Sequence, residues 1–215
     1  MRLAELATTT QTSPATIKYY LREGLLPAGQ AVNARLAEYD ERHVRRLRLI
    51  GALRGVLGAP IERIAALLRD VDDPDVPLPR LLGHAQLLAL ELPDDEPEPT
   101  AEPPAITRLL HDRGWETASP VRAALASHVA GMSTLGVGVT EQILQVYADA
   151  TDPVARLDLA NVGPTTNRDE AVLVTAVGVH SVGRLLLRLV AVAQAAHATD
   201  PGTGAGIGIA IEEPG

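Results

Sequence analysis

The sequence has no cysteine and no phenylalanine, and it holds one tryptophan and four tyrosines among 215 residues. The missing cysteines exclude disulfides, thiolate zinc sites, cysteine-held iron–sulfur clusters and catalytic thiols within this chain. Because aromatic side chains are scarce, any pocket must be lined mainly by aliphatic groups. With 46% hydrophobic and 21% charged residues, the composition is that of a globular protein with one large domain or two small ones.

Sequence motifs of enzymes are also missing. There is no Gly-x-Ser-x-Gly nucleophile turn, no phosphate-binding loop and no paired-carboxylate motif. No two histidines lie one helical turn apart, which is the spacing that favours a preformed metal site. We therefore expect a protein that is not an enzyme and that uses no cofactor and no metal.

The charge is divided unequally along the chain. Residues 1–70 carry 11 Lys and Arg against 7 Asp and Glu, whereas the remaining residues carry 8 against 20. Such a division indicates a basic head that contacts nucleic acid and an acidic body with another role.

Two segments bear on location in the cell. The N-terminal sequence MRLAELATTT lacks the apolar core of a signal peptide. The longest apolar stretch, residues 171–196, is interrupted by His180, Arg184 and Arg188, which favours a buried helix over a membrane span. We therefore expect a cytoplasmic protein.

The first 24 residues have the pattern of two short helices joined by a tight polar connection. Leu3 and Leu6 have helical spacing, and the Ser13-Pro14 pair is a typical helix start. The second helix is expected over residues 14–23, because Gly24 is a usual left-handed terminator. The arrangement is a candidate helix-turn-helix.

The two sides of this second helix differ in chemistry. The side with Ile17, Tyr20 and Leu21 is expected to face the core. The opposite side carries small, hydroxylated and cationic residues: Ala15, Lys18, Tyr19 and Arg22. A helix that enters the DNA major groove needs such residues, because cations neutralise phosphates and polar tips reach base edges. A solvated amphipathic helix would show the same pattern.

The next segment reads as a hairpin followed by helices. Pro27, Gly29 and Asn33 interrupt residues 25–39, which favours a wing. Asp40 is expected to cap a helix whose buried stripe is Val44, Leu47, Ile50 and Leu53. Four arginines are expected on the wet side of that helix, either as a solvated face or with one or two phosphate contacts: Arg42, Arg45, Arg46 and Arg48. A further helix is expected to begin after Ala59-Pro60.

The strings SPATIKYYLREGLLP (13–27) and ARLAEYDERHVRRLRLI (34–50), followed by a further helix, resemble the winged helix-turn-helix head of the MerR family over residues 1–70. The resemblance implies a homodimer whose two heads bind a two-fold symmetric site in double-stranded promoter DNA. It also implies that the activated dimer bends and untwists an overlong promoter spacer, with RNA polymerase as a partner.

The resemblance also supplies candidate DNA-binding residues. They lie on the second helix, its cap and the wing: Ser13, Ala15, Thr16, Lys18, Tyr19, Arg22, Arg35 and Tyr39. The sequence departs from the family pattern at Leu21, where many members have an acidic residue. The wing segment 28–34 also lacks the usual basic residues. A modest affinity for DNA with a strong dependence on salt is therefore expected.

The expected fold class is all-α with a small wing, formed by an N-terminal winged helix-turn-helix and a C-terminal helical bundle. The expected division begins with a DNA-binding domain over residues 1–72 and a dimerisation helix over 73–92. An acidic Pro-rich linker over 93–104, an effector-type helical domain over 105–198 and a Gly-rich tail over 199–215 are expected to follow. The dimerisation helix has an apolar seam that suits an antiparallel pair: Leu81, Leu82, Ala85, Leu88 and Leu92. The acidic body is expected to contribute to the dimer as well.

The helical domain gives few indications of a ligand. Trp115 and Tyr147 could stack on a flat effector, and His180 and Arg184 could anchor one. Core packing and ordinary ion pairs account for the same residues. Two other functions stay open at this point: a small-molecule-binding or sequestering protein with a weak DNA-binding head, and an adaptor that docks another protein through its acidic surface.

Overall fold

The computed structural model describes residues 1–33, 36–93, 102–116, 120–160 and 167–198. Within these ranges the chain forms nine α-helices and one two-stranded antiparallel sheet. The expected fold class, all-α with a small wing, is confirmed. The chain divides into two compact units, and the predicted linker core and Gly-rich tail, residues 94–101 and 199–215, lie outside the described residues.

The first unit comprises Met1–Ala85 and Thr165–Val177. Its elements in chain order are α1 (Leu3–Thr10), α2 (Pro14–Arg22), β1 (Gln30–Asn33), β2 (Leu36–Glu38), α3 (Glu41–Gly55) and α4 (Ile61–Asp72). The strands pair with Gln30 opposite Glu38 and Ala31 opposite Ala37, which forms the expected wing. The wing is tied to the start of the chain, because the Met1 ammonium donates to the Tyr39 carbonyl at 2.6 Å and the Tyr39 amide donates to the Met1 carbonyl at 2.8 Å.

Local signals set the helix ends in this unit. The Ser13 hydroxyl accepts a hydrogen bond from the Thr16 amide at 3.0 Å, and Gly24 adopts a φ of +71° just after α2. Asp40 caps α3 by accepting from the Arg42 amide at 3.0 Å, and His43 Nδ1 lies 2.7 Å from its Oδ1. The hydrogen bond to His43 lowers the pKa of the Asp40 carboxyl.

Arg46 does not lie on the wet side of α3, and that expectation is wrong. Its side chain is 1% exposed. It donates to Asp72 Oδ2 at 3.0 Å, and its Nε donates to Asp169 of the first turn of α9 (Arg168–Ala198). Burial disfavours the charged guanidinium, but the hydrogen bonds to Asp72 and Asp169 outweigh this cost and raise the pKa of Arg46. The three side chains form an ion cluster around the buried guanidinium, which we call the Arg46 triad.

Arg168, the first residue of α9, makes a second connection in the same unit. Its guanidinium donates to three backbone carbonyls at the end of α4 and just after it: those of Asp70 at 2.7 Å, Val71 at 2.9 Å and Val76 at 3.0 Å. The last carbonyls of a helix have no partner within the helix, so a cation there supplies both hydrogen bonds and a favourable charge. The sequence prediction placed all of 105–198 in one domain, whereas the structure groups the start of α9 with the head.

The second unit comprises Gln86–Pro164 and Gly178–Gly215. Its elements are the end of α5 (Leu78–Ala89), α6 (Pro104–Arg113), α7 (Pro120–Thr134), α8 (Glu141–Ala160) and the rest of α9. Its apolar core joins α6, α7 and α8 through Ile106, Leu109, Leu110, Val129, Leu144 and Ala148, with Trp115 packed against it. Arg122 of α7 donates to Glu102 at 2.8 Å, and this hydrogen bond lowers the pKa of the Glu102 carboxyl.

Two helices, α5 and α9, differ in how much of their apolar surface the chain itself buries. The seam assigned to the dimer on α5 is largely buried within the chain itself, with Leu81, Ala85 and Leu88 all inaccessible. In contrast, α9 was expected to be buried, and it is covered only near its start, at Val172 and Ala176. Only 6% of its most apolar window is buried, and by length and composition alone this helix could cross a membrane. The pattern of apolar residues is helical in both cases, but a pattern does not say which neighbour covers it.

Candidate nucleic-acid interface

The outward side of α2 is exposed as the sequence predicts. Ile17 and Tyr20 are buried beneath the helix, whereas Ala15 and Lys18 face solvent. In the part of the chain that the structure describes, no carboxylate forms an ion pair with Lys18. Its ammonium is therefore available to an external anion such as a DNA phosphate.

Arg22 is exposed but already has neighbours. Its Nε donates to Glu23 Oε1 at 3.0 Å, and its guanidinium lies 5.3 Å from the centroid of the Tyr19 ring. The Arg22 side chain is 71% exposed, so water screens the ion pair and little free energy is needed to exchange Glu23 for another anion. The contact with Tyr19 orients the guanidinium along the outward side of α2.

The start of α2 adds two hydroxyl groups to the same end of the helix. Ser13 Oγ accepts from the Thr16 amide and lies 2.8 Å from Thr16 Oγ1. The two hydroxyls therefore hold each other in place at an exposed helix N-terminus, which is the end that attracts phosphate.

A cleft of about 620 Å³ lies between α2, the start of α1 and the wing. It is lined by Arg2, Leu3, Ala4, Lys18, Ala31, Asn33, Leu36, Ala37 and Tyr39. The cleft brings Lys18 of the helix and Asn33 of the wing to one surface, as a winged helix-turn-helix requires if both parts are to contact one duplex. Arg2 was not among the sequence candidates. It reaches the cleft because the chain start folds beside the wing, where its guanidinium lies 3.9 Å from Glu38.

The remaining candidates have different outcomes. Arg35 lies outside the described residues. Tyr39 is 8% exposed, and its ring packs edge-on against His43 with centroids 5.1 Å apart. Its burial and its backbone bonds to Met1 fit a role in positioning the wing, and a direct contact with DNA stays a prediction.

Comparisons with known proteins decide the family. A family model described as the MerR helix-turn-helix regulatory protein matches residues 1–71. The crystal structure of a candidate transcriptional regulator from Streptomyces coelicolor A3(2) is 33% identical in sequence, with a TM-score of 0.64, and the match covers 93% of this chain and 98% of that chain. The chain belongs to the MerR family of regulatory proteins. A comparison with curated proteins found no match. As a MerR-family member, the chain is a DNA-binding transcription regulator.

In this MerR-family protein the effector candidates of the second unit fall into separate places. His180 and Arg184 line a cavity of about 510 Å³ together with Glu91, Leu187 and other residues of α9 and the end of α5. His180 Nδ1 lies 3.4 Å from the Ala89 carbonyl oxygen.

Trp115 and Tyr147 do not line this cavity. Trp115 packs against the core of α6, α7 and α8 with the Arg113 guanidinium 5.8 Å from its ring centroid, and Tyr147 is largely exposed on α8. The described residues hold no group of three or more His, Asp or Glu side chains that could bind a metal ion.

Proposed function

We propose that the protein regulates transcription as a homodimer that binds a two-fold symmetric promoter site through α2 and the wing, and that its helical domain responds to a small-molecule signal. The observation that carries the proposal is the exposed outward side of α2, where Lys18 has no ion pair with any described residue and Arg22 has only a screened one. One head offers few base contacts, so a symmetric site needs two heads. Contact with RNA polymerase is part of the proposal through the family resemblance.

Within the interface the residues have separate roles. Lys18 and Arg22 neutralise phosphates or donate to base edges, Ala15 permits close approach, and Tyr19 holds Arg22 in place. Ser13 and Thr16 present the N-terminus of α2 to the backbone. Arg35, and the edge of Tyr39 that lines the cleft, complete the interface on the wing side.

The test is the affinity for a duplex from the gene's own upstream region, measured by fluorescence anisotropy over a range of salt concentrations. The variant Lys18→Ala/Arg22→Ala is expected to weaken binding by about 30-fold or more and to reduce the salt slope by about 1–2. The matched control is Arg156→Ala on α8, because Arg156 is also an exposed arginine in a short ion pair, with Asp152 at 2.7 Å. Equal affinity of the double variant and the wild type would refute the assignment of α2.

The cavity at His180 and Arg184 is the proposed place of the signal. Its walls are largely aliphatic, and its charged groups are two arginines, Arg184 and Arg188, against one carboxylate, Glu91, which suits an apolar molecule with an acidic group. The test is a thermal-denaturation series with aliphatic and aromatic carboxylic acids. A compound that raises the melting temperature of the wild type but not of Arg184→Ala supports the site, and the absence of any such compound counts against it.

A further inference from the structure

The second half of α9 is mostly apolar and yet exposed, and its polar residues are Arg188, Gln194 and His197. From Leu185 to Ala198 it contains one arginine and no carboxylate, and every described side chain except that of Leu186 is exposed. The large apolar side chains there include Leu185, Leu189 and Val192, at 54%, 57% and 68% exposure. Because large exposed apolar patches mark interaction surfaces, this part of α9 is expected to have a partner beyond the described residues.

One side of this helix has the spacing of a coiled-coil seam. Leu185, Leu189, Val192 and Ala196 follow one another at intervals of four, three and four residues, so they form a stripe about 17 Å long. We call it the α9 stripe. At 100° per residue, Leu187 lies on the other side of the helix, where it lines the cavity at His180. The α9 stripe is therefore separate from the proposed effector site.

A lipid bilayer is a poor match for this helix. Arg184 and Arg188 lie near the middle of the 31 residues of α9, where a spanning helix would place them in the hydrocarbon core. A second protein surface is a better match, because the arginines can stay in water at the border of the α9 stripe.

We propose that the α9 stripe pairs in antiparallel orientation with the α9 stripe of a second copy of this chain. The pairing places Leu185 opposite Ala196 of the second copy and Leu189 opposite Val192 of the second copy. This inference rests on the proposed function, which requires a dimer, and it names the surface that forms it.

Size and charge both favour the antiparallel pairing. In the antiparallel pair, each of the four facing residue pairs joins a larger side chain to a smaller one, so the side-chain volume is spread along the interface. In a parallel pair, leucine would face leucine and alanine would face alanine, which would leave the alanine end poorly filled. The antiparallel pair also offsets the two copies of Arg188 by about 7.5 Å along the axis, whereas a parallel pair would set them side by side. On α5, Leu81, Ala85 and Leu88 are already buried within the chain, whereas the α9 stripe is exposed.

The area sets the expected strength of association. Four such side chains with their flanking alanines bury on the order of 400 Å² per copy, which is about half of what a standard stable interface buries. A reversible monomer–dimer equilibrium is therefore expected in free protein, and DNA with two half-sites will shift it towards the dimer.

The first test measures the mass of the full chain without DNA by sedimentation over a wide range of protein concentration. The wild type is expected to rise towards twice the chain mass, and Leu189→Glu/Val192→Glu is expected to weaken association by about 100-fold or more. Val190→Glu/Gln194→Glu is the matched control, because it adds two charges to the other side of the same exposed helix at positions that do not line the cavity at His180. Far-UV circular dichroism checks that each variant is folded. A wild type that stays monomeric, or a dimer that survives the stripe variant, overturns the proposal.

The second test uses the absence of cysteine from the sequence. The variant Leu185→Cys/Ala196→Cys is expected to form a disulfide-linked dimer under mild oxidation, because antiparallel pairing brings the two positions together between copies. Within one copy the same positions are about 17 Å apart and cannot join. Leu185→Cys alone is expected to remain uncrosslinked. Efficient crosslinking of that single variant indicates a parallel pair and overturns the antiparallel register.

Failure of this inference is distinguishable from failure of the proposed function. Neither test contains DNA, so a dimer that forms elsewhere leaves the role of Lys18 and Arg22 intact. Cosedimentation of the full chain with phosphatidylcholine–phosphatidylglycerol vesicles examines the membrane alternative. Vesicle binding that Leu189→Glu/Val192→Glu abolishes would assign the α9 stripe to lipid and overturn the pairing.

Discussion

Replacing Arg46 by methionine is expected to destabilise the first unit strongly. Methionine keeps much of the aliphatic bulk but removes every hydrogen bond of the Arg46 triad. Asp169, whose side chain is 9% exposed, then loses its cation inside the protein, whereas Asp72, at 43% exposure, can return to water. Removal of one partner from a buried pair costs about 3–5 kcal/mol, and we expect the lower end because only one carboxylate is deeply buried.

This loss is large compared with the stability of a typical domain, which is about 5–15 kcal/mol. For a unit of this size about 3 kcal/mol corresponds to a decrease in melting temperature of roughly 10–20 °C. Urea denaturation followed by far-UV circular dichroism measures the free energy of unfolding, and fluorescence of Trp115, the single tryptophan, reports separately on the second unit.

A rescue variant and a surface control separate this explanation from simple loss of packing. Arg46→Met/Asp169→Leu removes the stranded carboxylate as well, so it is expected to regain a large part of the lost stability. Arg156→Met breaks an exposed ion pair on α8 and is expected to leave the denaturation midpoint unchanged. A loss below about 1 kcal/mol in Arg46→Met, or no recovery in the double variant, would contradict the role of the triad.

Two further predictions concern the head. Because the hydrogen bond from His43 lowers the pKa of Asp40 below its ordinary value of 3.8, the charged cap contributes stability above that pH and loses it as the pH falls through the lowered pKa. Asp40→Asn keeps the cap but not the charge, so the wild type should be the more stable of the two at neutral pH, and melting temperatures between pH 2.5 and 7 should show the difference shrink in acid. Gly29→Ala would place a Cβ 2.8 Å from the Glu38 carbonyl oxygen and 2.9 Å from the Tyr39 ring, so it should displace the wing and cost about 1–3 kcal/mol. An unchanged denaturation midpoint for Gly29→Ala would show that the wing absorbs the added methyl group.

The sequence predicts those parts of the head that local chemistry determines. Ser13 and Gly24 bound α2 because a cap and a left-handed terminator act within one helical turn. The burial of Ile17 and the exposure of Lys18 follow from helical periodicity in the same way. The outward side of α2 could therefore be assigned before any coordinates were known.

Contacts between distant parts of the chain could not be assigned in this way. Helical spacing places Arg46 on the same face as Leu49, Ile50 and Leu53, which was a sign of its burial, but its ion partners lie 26 and 123 residues further along the chain. Arg2 joins the cleft for a similar reason, since it meets the wing only after the chain has folded. The exposure of α9 was missed because an apolar helix looks the same in sequence whether its own chain or another molecule covers it.

The attachment of Arg168 and Asp169 to the head has a consequence for dissecting this protein. A fragment that ends after α5 would contain the whole family match but would leave Arg46 with one carboxylate instead of two. It would also expose the carbonyls of Asp70 and Val71 that Arg168 now occupies. We therefore expect a truncated head to be less stable than the same residues in the full chain, and a separate peptide with the first turns of α9 to restore part of the loss.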